Sequence, residues 1–71
     1  MYSIYVDADG CVLSICPDDM TGNTGWLYVG EDVLTERTGK TVDELFGSLF
    51  DDEGAPLYQY ADGYVEPRGE N

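Results

Sequence analysis

Histidine is absent from this chain, and Lys and Arg together number only three. Without imidazole, the side chain best suited to general acid–base work near neutral pH is missing, and so is the commonest transition-metal ligand. No nucleophile elbow and no Gly-rich phosphate loop is present either. The chain therefore reads as a protein that is not an enzyme. So few cations also exclude nucleic-acid binding through phosphate contacts and disfavour anionic membrane surfaces. Cysteine is scarce, with two in all. A zinc site at Cys11 and Cys16 would need two carboxylates as further ligands, so both are read as reduced thiols, with no metal and no cofactor. No apolar run approaches the roughly 20 residues of a membrane span. The opening "MYSIYVDADG" lacks the basic start and apolar stretch of a signal peptide, which leads to an expected cytoplasmic location.

What is present in excess is acid. Fifteen Asp and Glu give a formal net charge of −12 on 71 residues. Small soluble domains typically carry a net charge of magnitude roughly 2 to 8, and self-repulsion at a higher density opposes compaction. Apolar residues make up 42%, with six tyrosines, enough for a folded core and against disorder throughout. The length allows one domain, 1–71, with a modest core and no room for an elaborate cleft.

Residues 2–6 and 11–15 are strand-like and flank Asp9-Gly10, a strong hairpin signal because a type I′ turn needs positive φ at both central residues. A two-residue loop there sets Ala8 opposite Cys11, Val6 opposite Leu13 and Ile4 opposite Ile15 on one apolar face, with Val12 on the other. Residues 17–25, "PDDMTGNTG", are turn-forming, and "WLYVG" at 26–30 reads as a short third strand. "EDVLTERTGK" could begin a helical turn, but Gly39 interrupts it. Thr41 and Glu44 have the spacing of a capping box, followed by an apolar stripe of Val42, Leu45, Phe46 and Leu49. That pattern predicts one helix, ending near Phe50. Asp62-Gly63 predicts a second hairpin, pairing Ala61 with Tyr64 and Tyr60 with Val65, with a frayed tail at 67–71. The expected fold is α+β: a small antiparallel β-sheet of two hairpins plus a short strand, with one helix packed on one face.

Calcium binding fails on spacing. An EF-hand loop needs acids at positions 1, 3 and 5, Gly at 6 and a bidentate acid at 12. With Asp9-Gly10 at 5 and 6, Tyr5 and Cys16 occupy 1 and 12; Asp51-Asp52-Glu53-Gly54 fails the same test. Tyr58 and Tyr60 are expected to face the core, whereas Tyr2, Tyr5, Tyr28 and Tyr64 are candidates for partial exposure and protein contact. The acids fall in clusters: Asp7 and Asp9; Asp18 and Asp19; Glu31, Asp32 and Glu36; Asp43 and Glu44; Asp51, Asp52 and Glu53; Asp62, Glu66 and Glu70. Acids two apart on a strand lie roughly 7 Å apart, and acids three or four apart on a helix about 5 to 6 Å apart. Such spacing can imitate a row of phosphates. The first five clusters are the candidate partner-binding residues, directed at a basic protein surface.

The segments "IYVDADGCVLSI", "TGW" and "FDDEGAPLYQYADGYVEPR" resemble short proteins encoded beside tail genes in bacteriophages and prophages. Those proteins pair a strand–turn–strand opening with a closing "DE-G…Y-Y-DG-V-ER" segment. The resemblance spans about half of the chain and implies phage origin and a tail or baseplate accessory role. Where those proteins carry a His-rich stretch after "TGW", this chain has "EDVLTERTGKTVDELFGSLF". In size, charge and lack of catalytic residues it is also similar to small acidic phage inhibitors of host defence nucleoproteins, the anti-CRISPR and anti-restriction proteins, many of which mimic nucleic acid. The leading expectation is such an inhibitor, a monomer or weak dimer in the host bacterial cytoplasm, occupying a basic DNA- or RNA-binding channel. The alternative is the tail accessory protein.

Overall fold

Alternating apolar residues bring Tyr2–Val6 (β1) against Val12–Cys16 (β2) as an antiparallel pair, and Trp26–Val29 (β3) pairs with the other side of β1. The computed structural model describes residues 1–68. The sheet order is β2-β1-β3. Two helices follow, Glu31–Thr35 (α1) and Val42–Phe46 (α2), and a second hairpin of Tyr58–Ala61 (β4) and Tyr64–Pro67 (β5) closes the chain. The α+β class is as expected. The strands divide into a three-stranded and a two-stranded sheet, joined where Cys11 bridges Gln59 and the Tyr60 N–H donates to the Gly10 carbonyl at 2.8 Å.

The first hairpin corrects the expected register. Ile4 does face Ile15, but Val6 faces Val12, not Leu13, and the register shifts between Tyr5 and Val6. The turn is longer than two residues. The Gly10 N–H donates to the Asp7 carbonyl at 3.0 Å, and the Asp7 N–H donates to the Cys11 carbonyl at 3.0 Å. Gly10 takes φ +86°, so this is a three-residue loop ending in a left-handed glycine. Leu13 is then the extra residue of a bulge, and the bulge returns Val12 to the core side, where it is fully buried.

The second hairpin matches its expected register, with Ala61 opposite Tyr64 and Tyr60 opposite Val65. Asp62 and Gly63 both adopt positive φ, 56° and 84°, as a type I′ turn requires. The Thr41 capping box forms in both directions: the Glu44 N–H donates to Thr41 Oγ1 at 3.2 Å, and the Thr41 N–H donates to Glu44 Oε1 at 2.9 Å. The helix stops at Phe46, earlier than expected, because Gly47 takes the C-cap position. Phe46 is 43% exposed instead of buried and lies edge-on to Tyr2.

A second helix, α1, forms where only a helical turn was expected. No side chain caps its start at Gly30. Its stability comes from burial of Leu34, with Glu31 and Asp32 in the first turn favoured by the helix dipole. Ile4, Val12, Ile15, Val29, Leu34, Val42, Leu45, Tyr58 and Val65 form one core. The accessible surface is 4252 Å², against about 4,400 Å² expected for a folded chain of this mass. Its radius of gyration, 11.1 Å, equals the roughly 11 Å of a compact domain of this length. The acidic charge has not opened the fold. Both cysteines are free, Cys11 buried and Cys16 half-buried. Pro67 closes β5, and residues 69–71 of the expected frayed tail, including Glu70, lie outside the described residues.

Candidate protein-interaction surface

The twelve candidate carboxylates divide into those that hold the chain's own turns and those that face solvent without a partner. Asp7 Oδ1 accepts from the Asp9 and Cys11 N–H groups, each at 2.9 Å. Asp51 Oδ1 accepts in the same way from the Glu53 and Ala55 N–H groups at 2.8 and 2.9 Å. The backbone bonds repeat as well: the Gly54 N–H donates to the Asp51 carbonyl, the Asp51 N–H donates to the Ala55 carbonyl, and Gly54 sits at φ +83°. "DADGC" and "DDEGA" are thus two copies of one loop, each organised by its first aspartate. Asp19 accepts from the Thr21 N–H and hydroxyl. The Thr21 hydroxyl, and then its N–H, lowers the Asp19 pKa below its ordinary value.

Glu44 is occupied by the capping box, and the Thr41 N–H lowers its pKa in turn. The remaining eight, Asp9, Asp18, Glu31, Asp32, Glu36, Asp43, Asp52 and Glu53, are exposed. Their side chains make no hydrogen bond or ion pair among the described residues. The only ion pair there joins Arg37 to Glu66 at 3.1 Å. Arg37 also lies 4.5 Å over the Tyr64 ring, and Gln59 donates to the other oxygen of Glu66. Gln59, and then Arg37, lowers the Glu66 pKa.

The structure brings some clusters together and separates others. Ser3 is paired with Cys16 on one side and Tyr28 on the other. The chain leaves β2 and β3 at this same end of the sheet, into Asp18-Asp19 and into Glu31-Asp32. Fully buried Ser3 fixes the first of these loops: its hydroxyl donates to the Asp18 carbonyl and accepts from the Met20 N–H, at 2.6 and 2.8 Å. Asp7 and Asp9 lie at the opposite end of β1, roughly 16 Å away for a five-residue strand. Asp43 and Glu44 open α2, and Asp51 to Glu53 form the loop beyond it. No cluster of acids and cysteines able to hold a metal ion occurs among the described residues.

The long axis of the molecule is 33 Å. A B-form duplex of that length carries about 19 phosphates, so a net charge of −12 gives about three-fifths of its charge density. No family model, no curated protein and no solved structure matches the chain. Its function therefore has to be read from this surface. No helix among the described residues is long and apolar enough to cross a membrane.

Sequence reasoning missed one feature of the surface. Strand β3 is an edge strand, and no strand among the described residues pairs with its outer side. Leu27 and Tyr28 on it are 38% and 42% exposed. The signal was the run "WLYV" itself, which has none of the charges or prolines that normally protect an edge.

Proposed function

We propose that this chain is a non-catalytic acidic binding protein that occupies a basic, nucleic-acid-binding surface of another protein. The observation that carries the reading is a set of eight exposed carboxylates with no partner among the described residues, of which Asp9, Asp52 and Glu53 stand on loops that Asp7 and Asp51 hold in place. Fixed charge is the useful kind, because little ordering entropy is lost when a basic groove closes on it. In its narrowest form the proposal is a phage-encoded inhibitor acting in the bacterial cytoplasm on a CRISPR effector or another defence nucleoprotein. Size, charge and the missing histidine support that form. The test is DNA binding by a panel of purified RNA-guided effectors, with and without this chain, at low and high salt. Inhibition that competes with DNA and fades at high salt is expected. No inhibition across the panel removes the narrow form.

A second reading, an accessory protein of a phage tail or baseplate, is favoured by the exposed apolar rings of Phe46 and Phe50. It predicts co-purification with tail proteins through a contact that survives high salt.

A further inference from the structure

We propose that the outer edge of β3 is a strand-addition site for an extended segment of the partner that carries Arg or Lys. This rests on the reading above that the partner is basic, and adds where and how its chain is held. Antiparallel pairing alternates between residues that bond inward and residues that bond outward. The Val6 N–H donates to the Gly25 carbonyl at 3.1 Å, and Ile4 pairs with Leu27 and Tyr2 with Val29. Alternation from that bond turns Leu27 and Val29 toward β1, and leaves the N–H and C=O groups of Trp26 and Tyr28 facing the open edge. Neither N–H has an acceptor among the described residues.

The occupant follows from charge. A second copy would bring another −12 to the same edge, so self-pairing is opposed by repulsion. A basic segment is drawn in instead, because exposed Glu31 and Asp32 begin directly after the strand and the Asp18-Asp19 loop leaves the same end of the sheet. The Tyr28 ring, on the side opposite Leu27, offers a face for a guanidinium. The chain already holds one arginine in this manner, Arg37 over Tyr64 and against Glu66. Main-chain bonds would supply affinity and the flanking acids the preference for a basic sequence.

Amide hydrogen exchange followed by NMR tests the proposal with two synthetic ten-residue peptides. One alternates Arg with Val; the other has the same sequence N-methylated at every peptide nitrogen, and so keeps the charge but has no N–H groups with which to form a ladder. The unmodified Arg-Val peptide should slow exchange at Trp26 and Tyr28 by about tenfold or more, while the N-methylated peptide shifts carboxylate-bearing residues without protecting either amide. Tyr28→Pro should abolish the protection at Trp26, and Tyr28→Thr should keep it. Retained protection of Leu27 and Val29 would show that Tyr28→Pro leaves the β1–β3 ladder intact. Two peptides that bind alike with no protection at Trp26 and Tyr28 would overturn the edge site and leave the basic-partner reading standing. If neither binds at low salt, both are overturned.

Discussion

Asp7 and Asp51 each accept two backbone N–H groups, whereas Asp9 and Asp52 accept none among the described residues. Neutralising the two kinds should therefore have unequal consequences. Asp7→Ala or Asp51→Ala leaves turn donors unpaired and should destabilise the fold by about 1 to 2 kcal/mol. Asp7→Asn, which keeps an acceptor, should lose less. Asp9→Ala and Asp52→Ala should stay within about 0.5 kcal/mol of the parent. Urea denaturation of the variants measures this, and equal losses at Asp7 and Asp9 would contradict the division. Glu44 adds a pH dependence. The Thr41 N–H holds its folded pKa below the ordinary 4.5, so its contribution is complete above pH 4.5 and is lost as the pH falls through the lowered value. The stability gap between the parent and Glu44→Ala should be widest above pH 4.5 and narrow below it.

At the scale of elements, the three acid-Gly turns show what decides between two hairpin geometries. Asp9-Gly10 and Glu53-Gly54 have an aspartate two residues before the acid, and its carboxylate caps the loop. Asp62-Gly63 has Tyr60 there and closes as a two-residue turn. The dipeptide alone does not carry that distinction, so the second hairpin was legible in the sequence while the register of the first was not. The capping box at Thr41 was legible because its hydrogen bonds are local. Helix α1 was not, since burial of Leu34 supports it in place of any cap, and the way the two sheets meet depends on the long-range pairing of Cys11 with Gln59. Of the candidate surface, the abundance of acid could be read directly, but which carboxylates are already occupied could not. The bulge at Leu13 is testable by substitution. Val12→Ala should cost about 2 kcal/mol as a core truncation, and Leu13→Ala, at a half-buried site, markedly less. The reverse order would restore the two-residue turn.

For the molecule as a whole, one ion pair among the described residues sets almost nothing against a net charge of −12. The fold is held by its apolar core and its turns while its surface repels itself. Screening should therefore stabilise it: raising salt from roughly 20 to 500 mM shortens the Debye length from about 20 Å to under 5 Å. Tm in differential scanning calorimetry should rise by about 5 °C, the equivalent of roughly 1 kcal/mol in a domain of this size. The same salt should weaken binding to a basic partner, so fold and function should respond to ionic strength with opposite signs.

That opposition gives the most direct test of the central claim. An RNA-guided effector inhibited by this chain would be titrated with the parent and with a variant carrying Asp9→Asn, Asp18→Asn, Glu31→Gln and Asp32→Asn, across a range of salt. These four carboxylates are exposed and make no hydrogen bond or ion pair among the described residues, and relief of self-repulsion should offset the lost helix-dipole contribution of Glu31 and Asp32, so the variant should fold about as well as the parent. The account predicts that it inhibits at least about tenfold more weakly and with a shallower dependence on salt. Undiminished inhibition by a folded variant, with the salt dependence unchanged, would contradict the account.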